Sequence, residues 1–374
     1  MTRGGAFVVS GKSGKVLVAL SAPEGTSRFG CSVARWLDFD GDGVCDFAVS
    51  APGRYARTDG QPVPCGSVFV YSGKRGAEIA RISGRESSDE FGIELANVRD
   101  LDGDGKDELL VGASGSGTAY LFSGRNREEL GRLRGLPGSQ FGEAVCGIGD
   151  IDGDGTPDLA VGACCESRTG RVHLYSGKDR HELRVLVPKE ADNERLWFGN
   201  SIVSAGDLDG DGKPDLLVGS DMEANDSCAR VYSGASGQVL LTISQHSIRL
   251  FSHFASSVEL LGDADGDGAV DFLIGDPNDI PDEVPEGEAN QARGSIVLAS
   301  GKNGATLYRI FGKRHMDCLG DSMAACGDLD GDSVPDFVAK AANHPGGGPC
   351  WRAFSGKTGK ELWQFDAPEA GAKR

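Results

Sequence analysis

The stretch DIDGDGTPDLAVGA, residues 150–163, decides how this chain is interpreted. Its first half places Asp at loop positions one, three and five, Gly at position six and Asp158 at position nine. Its second half is a compact apolar run, which is typical of a short β-strand. The same pattern starts again at Asp38, Asp100, Asp207, Asp263 and Asp328, so the acidic loop and its strand occur six times.

A Phe-Gly pair, or a variant of it, precedes each acidic loop. The pairs lie at 29–30, 91–92, 141–142, 198–199, 254–255 (Phe-Ala) and 319–320 (Leu-Gly). A later apolar run ends in Ser-Gly seven times, at 10–11, 72–73, 123–124, 176–177, 233–234, 300–301 and 355–356. Four short β-rich runs separated by turn residues predict a four-stranded antiparallel meander. Such units bury both faces only when they stack on one another, which predicts a β-propeller.

The counts of the repeated features differ, because seven Ser-Gly turns accompany only six acidic loops. Residues 6–26 correspond to the third and fourth strands of a unit that lacks its first two. We therefore predict an all-β propeller on a seven-blade plan with an incomplete N-terminal blade; the alternative is six blades plus an extra hairpin. One propeller domain is expected over residues 1–374. Its predicted repeats are the half-repeat 6–26 and full repeats at about 27–88, 89–138, 139–195, 196–251, 252–316 and 317–366.

The acidic loops suit a hard cation. Alternating carboxylates, the carbonyl of position seven and the acid at position nine can surround Ca²⁺ with six to eight oxygens, and Gly at position six permits the sharp turn. An EF-hand would need Glu at position twelve, where this chain has Val49, Val111, Val161, Val218, Ile274 and Ala339. The prediction is up to six Ca²⁺ ions held in strand hairpins, with position nine completing each shell.

The predicted ligands follow one scheme, with the position-seven residue contributing its carbonyl. They are Asp38, Asp40, Asp42, Val44 and Asp46; Asp100, Asp102, Asp104, Lys106 and Glu108; Asp150, Asp152, Asp154, Thr156 and Asp158; Asp207, Asp209, Asp211, Lys213 and Asp215; Asp263, Asp265, Asp267, Ala269 and Asp271; and Asp328, Asp330, Asp332, Val334 and Asp336. Two loops depart from the pattern. Glu108 replaces Asp at position nine, and Ser333 replaces Gly at position six, where a strained backbone is expected.

Charge and hydropathy restrict the function classes. The net charge is −18, which argues against a nucleic-acid partner, since phosphate binding needs a basic face. Six bound Ca²⁺ ions would bring twelve positive charges and reduce −18 to −6, so the acidity is interpreted as a metal requirement. No apolar run approaches the roughly 18 residues of a membrane span, and no signal peptide precedes the first strand-like segment.

The Phe-Gly starts, the Asp-x-Asp-Gly-Asp-Gly loops and the following Val-Gly-Ala runs resemble FG-GAP repeats, as in the propeller of integrin alpha chains. The resemblance extends from about Ala6 to Phe365. It implies a seven-bladed propeller with calcium hairpins on one face and ligand contacts on the other. It also implies extracellular or cell-surface work in adhesion or recognition. No inserted adhesion domain is visible, so integrin-type ligand chemistry is not carried over.

Three variable loops are expected on the face opposite the calcium hairpins, at 51–66, 276–294 and 341–349. They are where we expect a protein or glycan ligand to bind. The second loop is acidic and suggests a rim for a basic or cation-bridged partner, although a merely solvated insertion is at least an equal alternative. The first loop offers three residues for a carboxylate or a sugar. The rim consists of Asp276, Asp279, Asp282, Glu283, Glu286 and Glu288, and the other set of Arg54, Tyr55 and Arg57.

Two alternatives to a calcium-stabilised binding module remain. One is a purely structural segment of a larger cell-surface protein. The other is a quinone-dependent propeller enzyme, suggested only by residues 358–363, TGKELW. No catalytic motif or metal-binding histidine spacing occurs, so no enzyme is expected. The vicinal pair Cys164-Cys165, the one adjacent pair among ten cysteines, has an ordinary structural interpretation and, as an alternative, a metal or redox role.

Overall fold

The computed structural model of the protein describes residues 4–53, 65–85, 88–188, 196–221, 227–244, 253–281, 291–341 and 350–366. These residues form two compact units, one of residues 1–8 and 16–194 and one of residues 9–15 and 195–374. Within the described ranges, six sheets have four strands and one has two.

The first unit contains three blades and the strands of the two-stranded hairpin up to residue 8 and from residue 16, whereas the hairpin turn at residues 9–15 belongs to the second unit. The hairpin strands are β1 (Gly5–Val9) and β2 (Val16–Ser21). The blades consist of β3 (Val33–Arg35), β4 (Phe47–Ala51), β5 (Ser67–Tyr71) and β6 (Glu78–Ser83); β7 (Leu95–Val98), β8 (Glu108–Ala113), β9 (Thr118–Phe122) and β10 (Glu129–Arg134); and β11 (Phe141–Gly149), β12 (Asp158–Ala163), β13 (Arg171–Tyr175) and β14 (Glu182–Leu186).

The second unit contains the other three blades. They consist of β15 (Phe198–Gly206), β16 (Asp215–Ser220), β17 (Cys228–Tyr232) and β18 (Val239–Ser244); β19 (Ser257–Gly262), β20 (Asp271–Asp276), β21 (Ser295–Ala299) and β22 (Thr306–Phe311); and β23 (Met323–Cys326), β24 (Asp336–Ala341), β25 (Cys350–Phe354) and β26 (Glu361–Asp366).

Every blade is an antiparallel meander in which sequence order and spatial order agree. In the third blade, for example, Val145 pairs with Val161, and Val161 pairs with His173. The architecture is an all-β propeller of four-stranded antiparallel blades, as the repeats predicted. Six blades and one extra hairpin are present, which matches the second of the two arrangements left open by the sequence. The prediction of a single domain stays a prediction.

The hydrophobic cores lie between neighbouring blades. Trp36 and Val70 of one blade pack with Phe91 and Tyr120 of the next, and in the second unit Leu217 packs in one cluster with Phe272. The second and third strands of the blades carry most of this burial; β8, β12, β16 and β20 are buried at every residue, and so are β9, β17 and β21. Small, repeated cores of this kind explain how a chain with few aromatic residues stabilises a large β-fold.

The Phe-Gly pair places one anchor in each core. The aromatic or aliphatic residue is at most 2% exposed in all six blades. The following glycine has a positive φ, 92° at Gly142, where an added Cβ would come within 2.5 Å of the Thr118 carbonyl oxygen. Ala255, which replaces this glycine in the fifth blade, adopts the same left-handed region at φ 66°. The departure from the motif therefore changes the residue and keeps the backbone turn.

Trp363 has a structural role. Its indole Nε1 donates a hydrogen bond to the Gly11 carbonyl at 2.9 Å, and its ring lies 3.2 Å from the Cβ position of Gly14. These contacts anchor the turn at residues 9–15 to the last blade within the second unit. The TGKELW segment thus provides packing at Trp363.

Candidate metal centres

Each acidic loop joins the first and second strands of a blade, and its carboxylates are held by backbone N–H groups. In the third loop, Asp150 accepts hydrogen bonds from the N–H of Gly153 and of Gly155, at 2.5 and 3.0 Å. Asp152 accepts the N–H of Asp154 at 2.9 Å. These bonds fold the chain tightly around its own acidic side chains.

The glycines at positions four and six both take left-handed backbone conformations. Their φ values run from 71° at Gly41 to 89° at Gly155 and Gly331. The sequence analysis predicted a turn glycine at position six alone. The glycine at position four has the same role and was not predicted, although Gly occupies that position in all six loops. Two left-handed residues in alternation turn successive N–H groups toward the carboxylates.

In five of the loops, the structure brings three or all four of the predicted carboxylates together. In the second loop Asp100, Asp102, Asp104 and Glu108 each place one oxygen within 4.8 Å of the others. In the first loop the group is Asp38, Asp40 and Asp42. The third, fourth and fifth loops unite positions one, three and nine, in the groups Asp150, Asp152 and Asp158; Asp207, Asp209 and Asp215; and Asp263, Asp265 and Asp271.

The acid at position nine has a second role that the sequence did not reveal. In the third blade, Asp158 accepts the N–H of Ile151 at 2.8 Å and the N–H of Gly177 at 3.0 Å. Gly177 belongs to the Ser-Gly turn between strands three and four. The same two contacts recur at Asp46, Asp215, Asp271 and Asp336. Position nine therefore ties the acidic loop to the Ser-Gly turn of its own blade.

All six position-nine carboxylates are fully buried. Burial raises the pKa of Glu108 to about 7, with the negative charges of Asp102 and Asp100 adding to the effect. Burial likewise raises the pKa of Asp158, Asp215 and Asp271. Glu108 Oε2 accepts the N–H of Leu101 at 2.6 Å, whereas Oε1 is buried without a hydrogen-bond partner among the described residues. A cation beside these oxygens would compensate for the lost hydration, so the residues fit a metal ion.

Basic side chains from the Ser-Gly turns face several loops. Lys178 Nζ lies 3.7 Å from Asp154, and Lys302 Nζ lies 3.9 Å from Asp267. The contact in the first loop is much closer, since Arg75 Nη2 lies 2.5 Å from Asp40 Oδ2. Its hydrogen bond holds the pKa of Asp40 below the ordinary value. The first loop is thus the one in which a protein cation competes most directly for a ligand oxygen.

The sixth loop keeps the geometry despite its substitution. Ser333 has a φ of 71°, within the range of the glycines at this position, and its N–H donates to Asp328 at 2.9 Å. Together with the N–H of Gly331 it lowers the pKa of Asp328. The backbone strain expected at Ser333 is therefore present, because an L-residue occupies a left-handed conformation.

Position twelve does not contribute oxygen ligands. The six residues there lie in the second strands and are 0% exposed. The loops are therefore strand hairpins and differ from EF-hands, which place Glu at this position.

At the other end of the blades, the predicted acidic rim is only partly described. Asp276 and Asp279 are 1% and 7% exposed, so they do not form a surface rim. Asp279 accepts hydrogen bonds from Ser295 and Arg309, and Asp276 accepts the N–H of His253 at 3.2 Å. For these two residues the rim prediction was wrong, because both carboxylates are buried and accept hydrogen bonds from other parts of the protein. The remaining members, Asp282, Glu283, Glu286 and Glu288, and the set Arg54, Tyr55 and Arg57 lie outside the described residues.

Comparison with protein families matches the parts of the chain that carry the second, third and fourth loops. Residues 100–161 match an FG-GAP-like repeat, and residues 198–241 match an FG-GAP repeat. The four-stranded blades, the acidic hairpin loops and these two matches all indicate the same type of repeat. The chain carries FG-GAP repeats on a β-propeller fold.

Curated relatives of this FG-GAP propeller include integrin alpha chains. Integrin alpha-2 of Bos taurus is 30% identical over 197 residues, covering 46% of this chain and 15% of the relative. Integrin alpha-4 of Xenopus laevis is 30% identical over 192 residues, covering 47% and 17%. The chain thus spans about a sixth of the length of these relatives.

A solved structure supports the fold over most of the chain. The crystal structure of BBS1N in complex with ARL6DN has a TM-score of 0.58, covers 92% of this FG-GAP chain and 84% of its own, and is 12% identical. At this identity the likeness shows the fold alone. Over the described part of the sequence, no helix is long and apolar enough to cross a membrane.

Proposed function

We propose that this FG-GAP propeller is a calcium-stabilised binding module. The observation that carries the proposal is the convergence of loop carboxylates with a buried acid that has lost its hydration, as at Asp100, Asp102, Asp104 and Glu108. Each of the six loops would hold one Ca²⁺ through its Asp or Glu side chains and the position-seven carbonyl. Oxygen-only donors in a flexible loop suit Ca²⁺ better than the tight octahedron of Mg²⁺.

Calcium would stabilise the blade as well as the loop. The position-nine carboxylate contacts both the acidic loop and the Ser-Gly turn, so a cation held by it would link two hairpins of one blade. Metal binding and folding are then coupled, because the cation binds only the assembled carboxylates.

The calcium experiment compares melting of the whole chain in Ca²⁺ and in a chelator. We expect a higher melting midpoint with millimolar Ca²⁺, and a smaller difference for the Asp150→Asn, Asp152→Asn double variant. Asp179→Asn is the matched control, since Asp179 is an exposed acid of the same blade that pairs with His181 outside the loop. An identical melting midpoint with and without Ca²⁺ would contradict the proposal that calcium stabilises the fold.

For the binding surface, we propose the ends of the blades opposite the acidic loops, with a protein or glycan as the ligand. Antiparallel meanders put the connections between strands two and three at that end, and binding residues favour loops on a rigid scaffold. The relation to integrin alpha chains supports an extracellular or cell-surface setting.

The alternative, a purely structural segment of a larger surface protein, predicts no ligand. A glycan array and a cell-surface protein library, both screened with Ca²⁺ present, distinguish the binding module from the structural segment. Specific binding that persists after mutation of the acidic loops supports a ligand site on the opposite face.

A further inference from the structure

The two adjacent thiols Cys164 and Cys165 directly follow strand β12, at the blade end opposite the acidic loop. Successive side chains of a strand point to opposite faces, so adjacent cysteines normally diverge. Here the chain leaves the strand at Ala163 and turns, with the N–H of Glu166 donating to the Ala163 carbonyl at 2.9 Å. The N–H of Cys165 donates to the Ser139 carbonyl at 3.0 Å, which attaches the turn to the segment before β11.

Both sulfur atoms converge on one oxygen. Cys164 Sγ lies 3.1 Å and Cys165 Sγ 3.0 Å from Gln140 Oε1. Gln140 is itself held in a left-handed conformation, with a φ of 54°. The turn and the amide together hold two thiols on the same side of the chain, which is the arrangement that a chelating pair needs.

The surroundings of the pair are acidic and lack nearby cations in the described contacts. Cys164 is buried. Cys165 is half-buried, so its thiol can be reached from solvent. Burial, the neighbouring Cys165 and the charge of Glu143 all raise the pKa of the Cys164 thiol. Glu143 Oε2 is buried and has no hydrogen-bond partner among the described residues. Negative charge disfavours free thiolates here and favours a positive ion that would neutralise them.

Two other thiols provide a contrast. Cys31 Sγ lies 3.2 Å from Arg28 Nη2, and Cys45 Sγ lies 3.1 Å from Arg35 Nη2. A guanidinium beside a sulfur opposes the approach of a metal cation. The acidic environment and the pairing thus distinguish residues 164 and 165 from these more exposed cysteines.

We propose that Cys164 and Cys165 form a two-sulfur site for a soft, thiophilic cation of the Zn²⁺ and Cd²⁺ class, with Gln140 Oε1 as an additional donor. Thiolates select such ions over the hard cations that suit carboxylate loops. On binding, the cation forms two metal–sulfur bonds, and the two thiol protons leave to solvent without any change of oxidation state. The proposal is independent of calcium in the acidic loops.

The test is a Cd²⁺ titration of the whole chain with Ca²⁺ saturating and a phosphine reductant present. Sulfur-to-cadmium charge transfer absorbs in the ultraviolet, whereas carboxylate ligands give no such band. We expect the highest-affinity step of the titration, followed by this band, to require both cysteines. Cys164→Ser and Cys165→Ser should each lower the Cd²⁺ affinity of that step by about 100-fold or more, because loss of an outer-shell partner of a metal ligand alone costs 10–100-fold. Cys45→Ser is the matched control and should leave that step unchanged. The affinity should also rise with pH, because binding releases protons.

Two results would overturn the proposal. One is a titration in which either serine variant retains the wild-type band and affinity. The other is a disulfide between residues 164 and 165 in the reduced preparation, seen by peptide mass, with no cadmium bound. Cys164→Ala and a melting curve in Ca²⁺ accompany each serine variant, so that a loss of binding by a folded protein is separated from a loss of the fold.

Discussion

At the scale of single residues, the acid at position nine combines two functions. Asp158 accepts hydrogen bonds from N–H groups of two different turns, and one of its oxygens lies within 4.8 Å of an oxygen of Asp150 and of Asp152. A buried carboxylate used in this way is costly without a cation, which is why burial raises its pKa. The residue therefore couples the geometry of the blade to the occupancy of the loop.

Ser333 allows a test of backbone strain at one position. Its φ of 71° is a left-handed conformation that glycine adopts without strain. Ser333→Gly should therefore raise the free energy of unfolding by about 1 kcal/mol. The reverse change Gly155→Ser, where φ is 89° and an added Cβ would meet no atom within 4 Å, should lower it by a similar amount. Urea unfolding in Ca²⁺ measures both, and equal stability of all three proteins would contradict the strain.

Arg75 provides a test of competition for a calcium ligand. Its guanidinium lies 2.5 Å from Asp40, whereas Arg125 lies 4.0 Å from Asp104 in the next blade. Arg75→Gln should raise the Ca²⁺ affinity of the first loop by about two- to fivefold, the range of an exposed ion pair. Calcium titration calorimetry compares it with Arg125→Gln, which should change affinity less. A lower affinity for Arg75→Gln would show that the arginine supports the loop.

At the scale of the secondary-structure element, the Ser-Gly turn depends on its glycine for a steric reason. A Cβ on Gly177 would lie 1.8 Å from the Pro157 carbonyl oxygen, because the turn packs against the base of the acidic loop. The same close approach occurs at Gly73, Gly301 and Gly356, at 2.0, 1.7 and 1.9 Å from a backbone oxygen. The glycine thereby keeps its N–H within reach of position nine.

Gly177→Ala should accordingly destabilise the protein. The clash involves backbone and cannot be relieved by a side-chain rotation, so we expect a loss of about 3 kcal/mol, at the upper end of overpacking effects. Gly327→Ala is the matched control, since a Cβ there would meet no atom within 4 Å. Denaturant midpoints at fixed Ca²⁺ compare the two. Equal midpoints would show that the turn can move away from the loop.

Inner strands of successive blades are linked by side-chain hydrogen bonds. Ser32 Oγ accepts the N–H of Leu95 at 3.1 Å in the first unit, and Ser201 Oγ accepts the N–H of Val258 at 2.9 Å in the second. Glu94 replaces serine between the next pair of blades and accepts the N–H of Val145 at 3.2 Å. The strand register on the inner side is therefore supported between blades as well as within them.

At the scale of the whole molecule, the acidic loops make stability depend on ionic conditions. The chain has a net charge of −18, and the acids of each loop lie close together. Without Ca²⁺, added NaCl should raise the melting midpoint, because salt screens repulsion between these carboxylates. With Ca²⁺ saturating, the same salt should have little effect. Differential scanning calorimetry at two salt concentrations checks this, and equal salt dependence in both states would contradict it.

Much of the fold could be predicted because each blade repeats a local pattern. The acidic loop, the Ser-Gly turn and the Phe-Gly start mark three points of every unit, and the strands between them pair with their sequence neighbours. The sequence favoured a seven-blade plan over six blades with an extra hairpin, and the structure matches the alternative; the motif counts could not decide between the two because they disagreed. The prediction of an exposed rim at Asp276 and Asp279 was wrong, because the exposure of a side chain depends on contacts with residues that are distant in sequence, such as Ser295 for Asp279.

The sequence alone determined the blade meander and the positions of the acidic loops, because turn chemistry and strand alternation act over a few residues. Only the tertiary structure revealed that position nine binds a second hairpin, that Ser-Gly needs its glycine, and that Cys164 and Cys165 point at one amide. Each of these depends on a close approach between segments 19 or more residues apart. Such approaches are set by how strands pack, and a local pattern does not encode the distance between them.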